Sequence, residues 1–178
     1  MKETCNSEQC VLYISTSKPI SWTRIEQVGI NTKFLLNRTF HFSEEFNFQA
    51  VDLIHEAVMN TNISLVVIDT IGGLLPESDP DAGIQNVLDR ISHLGKLATI
   101  LKALSTKYNF VLICINTVVS YLNGETIPSH GLAWTNFVND RFYLLKGGGS
   151  RRIHVFQSPN LPSGTQYEFQ ITDRGIIE

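Results

Sequence analysis

One carboxylate in this sequence stands where strand and loop meet. The apolar run Leu65-Val66-Val67-Ile68 is closed by Asp69-Thr70. A carboxylate emerging at the carboxyl end of a buried strand is one half of what a magnesium-nucleotide site needs. The other half is a loop of the form GxxxxGK followed by Ser or Thr, whose backbone amides and lysine hold the β and γ phosphates. No such loop occurs in the 178 residues. Its nearest approach is Gly95-Lys96, but Arg90 replaces the first glycine, Leu97 replaces the hydroxyl residue, and the segment sits inside a helical pattern. Asp69 therefore has two readings: a vestigial carboxylate that hydrogen-bonds nearby backbone amides, or a nucleotide contact in cis.

The remaining reactive residue types form weaker patterns. Cys5, Cys10 and Cys114 are an odd number, and Cys114 lies inside the apolar run Val111 to Ile115. Neither a disulfide framework nor a tetrahedral zinc set is expected. Gly147-Gly148-Gly149-Ser150 joins two β-like runs and reads as a hairpin turn. Arg141, Lys146, Arg151 and Arg152 gather around that hairpin, as a solvated face or as candidate DNA contacts. Tyr121, in a loop without Lys or Arg, is an aromatic that could stack on a base.

These residues need a frame. Cys10 to Thr16 reads as a short buried strand, Trp22 to Gly29 as a helix, and Ser43 to Val58 as a helix capped by Ser43. Leu65 to Ile68, apolar on both faces, predicts a central parallel strand. Ile84, Val87, Leu88, Ile91, Leu94, Leu97, Leu101 and Leu104 recur at threes and fours, making a long crossover helix that leads to a second buried strand, Phe110 to Ile115. Three further β-like runs come after it, Arg141 to Lys146, Ile153 to Gln157 and Tyr167 to Thr172. An α/β fold with one domain over 1–178 is expected.

Composition narrows the function classes. With 43% hydrophobic residues, 17% charged residues and a net charge of -3, the chain offers no global field for nucleic acid or an anionic membrane. The amino-terminal residues contain no leader-like apolar core, and no run approaches membrane-spanning length. A soluble cytosolic or nuclear protein is expected.

Taken in order, several segments resemble the RecA-type recombinases, and within them the eukaryotic recombinase paralogues that mediate homologous recombination. Cys10 to Thr16 with Arg24-Ile25 is similar to the family's YIDTEG strand and its downstream Arg. Ser64 to Thr70 is similar to its Walker B strand, and Phe110 to Val118 to the strand ending NQV. Gly131-Leu132-Ala133-Trp134-Thr135-Asn136 leading to Arg141 resembles the paralogue pattern. So does the tail from Arg151 through Ser158-Pro159-Asn160-Leu161-Pro162 to Ile176, with the family's SPxLP turn.

The resemblance implies a RecA-like core: a mostly parallel sheet flanked by helices, with an antiparallel carboxyl-terminal β extension and without the phosphate-loop segment. It also exposes departures. Ser17 stands at the catalytic glutamate of YIDTEG, and a hydroxyl cannot take the proton of attacking water at neutral pH. Thr117 replaces the Gln of NQV. The loop Leu75-Pro76-Glu77-Ser78-Asp79-Pro80-Asp81 carries three carboxylates where the family turns basic residues toward DNA.

Resemblance and departures together imply a nuclear, non-hydrolysing subunit that binds a RecA-like recombinase or paralogue and assists recombinase loading on single-stranded DNA. No cofactor is expected in cis. ATP and magnesium would belong to the partner, capped by Ser158, Pro159, Asn160, Leu161 and Pro162, unless the two prolines merely separate strands. The alternative is a truncated or splice-variant form of a DNA-dependent ATPase of the same family.

Overall fold

The structure, a computed structural model, describes residues 9–16, 18–29, 32–39, 49–75, 83–120, 126–147 and 150–177. These fall into two compact units, one of residues 1–20 and 31–136 and one of 21–30 and 137–178.

In the first unit, β1 (Cys10–Ser15) is followed, after the short helix α1 (Trp22–Gln27) that belongs to the second unit, by β2 (Leu35–Thr39), α2 (Gln49–Asn60) and β3 (Ile63–Asp69). The 26-residue α3 (Gly83–Tyr108) then leads to β4 (Val111–Ile115). The four strands form one parallel sheet in the order β2-β1-β3-β4. Both β2→α2→β3 and β3→α3→β4 advance across the sheet in the same direction, so right-handed crossovers put both helices on one face. α2 and α3 touch each other there. That face is the core: Leu12, Ile14, Val66 and Ile68 are fully buried with Ile54 of α2 and Leu94 and Leu101 of α3. The helix ends because Asn109 adopts φ 54°, a left-handed conformation that asparagine tolerates better than most residues.

Beyond β4 come the two-stranded hairpin β5 (Val118–Ser120) and β6 (Thr126–Pro128), and the single-turn α4 (Gly131–Thr135). Trp134 is buried, as its apolar neighbours suggest.

The second unit holds α1, capped by the Ser21 side chain accepting from the Arg24 amide. Its antiparallel sheet contains β7 (Arg141–Gly147), β8 (Ser150–Gln157), β9 (Gln166–Thr172) and β10 (Gly175–Ile177), in the order β10-β9-β8-β7. Arg24 ties α1 to this sheet by donating through both terminal nitrogens to the carbonyls of Thr172 and Asp173, at 2.5 and 2.9 Å.

The α/β class, the parallel sheet with its flanking helices and the antiparallel carboxyl-terminal strands agree with expectation. Two features were not expected. Only the second half of α3 enters the core: Ile84, Val87, Leu88 and Ile91 are 78%, 54%, 52% and 43% exposed. A 26-residue helix is about 39 Å long, whereas a five-residue strand spans about 17 Å, so the first turns run past the sheet. Cys10 is disulfide-bonded, whereas no disulfide framework was expected. Cys114 is free, and burial pushes its thiol up to about 12, which leaves it unreactive.

Candidate functional site at the carboxyl end of the parallel sheet

Register brings the chemistry together. Ser15 of β1 lies opposite Asp69 of β3, and Asp69 opposite Ile115 of β4, so three strands end at one level. Tyr13 precedes Ser15 by two residues and therefore shares its face, where a long ring reaches a diagonal neighbour. Its hydroxyl donates to Oδ2 of Asp69 at 2.5 Å. Asp69 is thus part of a strand-to-strand contact, made with a side chain rather than with the backbone amides expected.

Burial, then the hydrogen bond to Asp69 and its negative charge, raise the Tyr13 phenol from 10.0 to about 12. A phenol whose folded value lies above its unfolded one contributes stability that is fully present below pH 10 and lost as pH rises toward 12. The gap in urea midpoint between the protein and Tyr13→Phe is expected to stay constant below pH 10 and to close towards pH 12. A gap unchanged at the alkaline end would show that the contact does not exist in solution.

The next residues lock the strand ends. The Thr16 amide donates to the Asp69 carbonyl at 2.7 Å, the Thr70 amide to Thr16 Oγ1 at 2.9 Å, and Thr16 Oγ1 to the Thr70 carbonyl at 2.8 Å. The Asp69-Thr70 peptide is cis. Gly73 backs onto this knot so closely that a Cβ there would lie 2.2 Å from Thr16 Oγ1.

After β4 the polar residues are turned to internal use. Asn116 Nδ2 donates to the Ser129 carbonyl at 2.6 Å while its Oδ1 accepts from the Thr117 amide at 3.0 Å. The Thr117 and Ser129 hydroxyls lie 2.8 Å apart. His130, at φ 65°, rests against the turn after Asp69: a Cβ on Gly72 would sit 3.0 Å from its Nε2. Burial, and then the charge of Arg90, hold its imidazole below the usual value.

These residues alone do not fit magnesium-ATP. Magnesium takes one or two carboxylates and completes its shell with water and phosphate. Here one carboxylate stands at the crest with one oxygen already accepting from Tyr13, and β1, β3 and β4 contain no Lys or Arg. Among the described residues no group of three or more His, Cys, Asp or Glu gathers as a metal site.

In the second unit, the turn Ser158-Pro159-Asn160-Leu161-Pro162 is organised by Ser158. Its hydroxyl donates to Asp140 Oδ1 at 2.6 Å and accepts from the amides of Asn160 and Leu161 at 3.1 and 3.2 Å. Thr165 closes the far side by donating to the Pro162 carbonyl at 2.8 Å.

The four cations of the hairpin do not share one patch. Lys146 and Arg151 are directly opposite in register near the turn. Arg152 follows Arg151 and so points to the other face, where it donates to Gln166 Oε1 at 3.1 Å. Arg141 starts β7, five steps or about 17 Å from Lys146. Its guanidinium lies 4.7 Å from the Phe156 ring centre and donates to the Tyr143 hydroxyl at 3.3 Å. Tyr121 lies outside the described residues, as does Ser17.

Sequence reasoning overlooked Tyr13, Thr16, Gly73, Ser129 and His130. Tyr13 had a signal, the two-residue period that places it beside the end of β1. Ser129 and His130 had none, because parallel strand ends meet them only through the fold.

The Rad51 family profile matches residues 2–178. The chain is 27% identical over 177 residues to the DNA repair and recombination protein RadA of Aeropyrum pernix, covering 93% of this chain and 54% of that protein. It is 28% identical over 155 residues to the DNA repair protein XRCC3 homolog of Arabidopsis thaliana, covering 64% and 50%. With the human DNA repair protein RAD51 homolog 2 the identity is 23% over 211 residues, covering 96% and 54%. The chain thus spans about half the length of these relatives. The crystal structure of the RadB recombinase superposes with a TM-score of 0.67 at 22% identity, covering 96% of this chain and 79% of that one, and supports the fold. Among the described residues no helix is long and apolar enough to cross a membrane. With three matched motifs falling in order on β1, β3 and β4 of the parallel sheet and the family profile running almost end to end, the chain belongs to the Rad51 family, as a RecA-type recombinase paralogue.

Proposed function

We propose that this chain is a non-hydrolysing regulatory subunit of homologous recombination, which binds a RecA-like chain and assists recombinase loading or remodelling on single-stranded DNA in the nucleus. The observation that carries the reading is at Asp69. In a chain of this family, the Walker B carboxylate is paired with Tyr13, and the position of the general base is Ser17. ATP and magnesium are then the partner's, and DNA is met through the complex, since Arg141, Lys146, Arg151 and Arg152 do not share one patch.

The second reading is a longer ATPase of the same family, favoured by the half-length coverage of the relatives. Ser17 opposes it, because the substituted base lies within the chain.

The Ser158 to Pro162 turn is the part of this chain that would cover the partner's nucleotide. Pro159 and Pro162 fix φ near -65°, and Ser158 pins the two amides between them, so little ordering entropy remains to be lost on contact. A RecA-like partner is expected to bind ATP more tightly with this chain than without it. Linkage requires ATP to tighten the protein pair equally, by about 1–3 kcal/mol. Titration calorimetry on the pair with and without ATP measures this coupling, and Pro159→Gly with Pro162→Gly should weaken it without unfolding the chain. Equal partner affinity in both conditions would remove the cap and leave a scaffold.

A further inference from the structure

Six prolines occur in the sequence, and only Pro159 follows a hydroxyl residue; the others follow Lys18, Leu75, Asp79, Ile127 and Leu161. The fold puts this single Ser-Pro step in the open. It lies between β8 and β9, where residues 159–164 are all exposed. Proline has no amide to leave unpaired and biases the residue before it toward an extended backbone. Those are the two features by which a proline-directed kinase accepts a serine, since its groove binds extended chain and its pocket for the next residue offers the amide no partner.

The hydroxyl also holds the turn together. Ser158 Oγ donates to Asp140 Oδ1 at 2.6 Å, which ties the turn to the residue just before β7, and it accepts from the amides of Asn160 and Leu161 at 3.1 and 3.2 Å. Asp140 is exposed, so nothing in the core fixes this contact. A phosphate here would bring a charge of about -1.5 to -2 against that carboxylate. The ester oxygen would have no proton to donate, and attraction would become repulsion. Arg141 is adjacent, but its guanidinium already lies over the Phe156 ring and donates to the Tyr143 hydroxyl.

We propose that Ser158 is the acceptor for a proline-directed protein kinase, and that its phosphate releases the turn from Asp140. In the transfer the kinase's general base takes the hydroxyl proton, Oγ bonds to the γ-phosphorus of ATP, the bond to the bridging oxygen breaks and ADP leaves. An exposed turn held by one side chain opens cheaply enough to enter the kinase. Where the turn covers a partner's nucleotide, as proposed above, the phosphate withdraws that cover.

The first test maps phosphate on the full chain purified from its own cells with phosphatases inhibited. Trypsin cuts after Arg152 and Arg174 and leaves residues 153–174 in one peptide, whose fragments assign the modified residue. Phosphate on Ser158 is expected, and its loss in Pro159→Ala, which keeps the hydroxyl. Recovery of this peptide with Ser158 unmodified overturns the proposal, as does equal modification in Pro159→Ala. The second test compares thermal melts of the chain with and without phosphoserine incorporated at position 158. The phosphate should lower the melting temperature by about 2–4 °C. In Asp140→Asn, whose amide can donate to the phosphate, the lowering should vanish, and Asp140→Ala serves as a second variant without the charge. No lowering, or the same lowering in the Asp140 variants, overturns the release. Both tests use the chain alone, so their failure leaves the proposed function standing.

Discussion

Magnesium-dependent ATP turnover by the purified chain is expected to remain at background, and Asp69→Ala to leave that background where it is. Three parts of a hydrolytic site act together in phosphoryl transfer: the phosphate cradle, the metal-holding carboxylate and the group that orients water. Here the carboxylate accepts from Tyr13 at 2.5 Å and the water-orienting position is Ser17. Groups that work as a unit are not lost additively, and removing one already costs on the order of a thousandfold or more. In a complex with a RecA-like ATPase, Asp69→Ala in this chain should change turnover by less than about twofold, whereas the same change in the partner should abolish it. Turnover by the purified chain that Asp69→Ala removes would decide for the ATPase reading and against the regulatory one.

Gly73→Ala is expected to be among the most destabilising single substitutions in the chain. The added methyl group would stand 2.2 Å from Thr16 Oγ1 and 2.5 Å from Thr16 Cβ, separations that require a shift of the threonine rather than a rotamer change. Thr16 cannot move cheaply, because its hydroxyl both accepts from the Thr70 amide and donates to the Thr70 carbonyl. Overpacking of this kind and the loss of one hydrogen bond together cost about 3 kcal/mol. Urea unfolding should show a lower midpoint with an unchanged slope. Thr16→Gly removes the obstructing atoms, so in a double-mutant cycle the two substitutions should be strongly non-additive. An additive cycle, or a Gly73→Ala protein as stable as the original, would mean that the strand ends are not packed this closely.

Strands whose residues are apolar on both faces were plain in the sequence. Val66 and Ile68 of β3 and the run through β4 needed no long-range information; the glycine turn was sufficient for the hairpin of β7 and β8, while the antiparallel extension as a whole was implied by the family resemblance. β2 was overlooked because Leu-Leu-Asn-Arg-Thr lacks both period and hydrophobicity, as suits an edge strand. The apolar period of α3 was read correctly as helical, but it does not show which turns are covered. Periodicity reports that a face exists but not that anything lies against it, and the length of a strand relative to its crossover helix decides how much is covered. Asp69 was found from its position at a strand end, whereas its partner emerged only with the register of β1 against β3. The hairpin cations looked clustered because they are close in sequence; strand alternation sends Arg151 and Arg152 to opposite faces.

The overhanging half of α3 has a consequence for dosage. Ile84, Val87, Leu88 and Ile91 form a water-facing stripe at helical spacing, the feature that chaperones and degradation receptors recognise on unassembled subunits. If a partner covers the stripe, as the proposed function implies, a copy without that partner is expected to be cleared. The cellular amount of this protein should follow the supply of whatever shields the stripe, so that overexpression of the chain alone raises its synthesis more than its steady-state level.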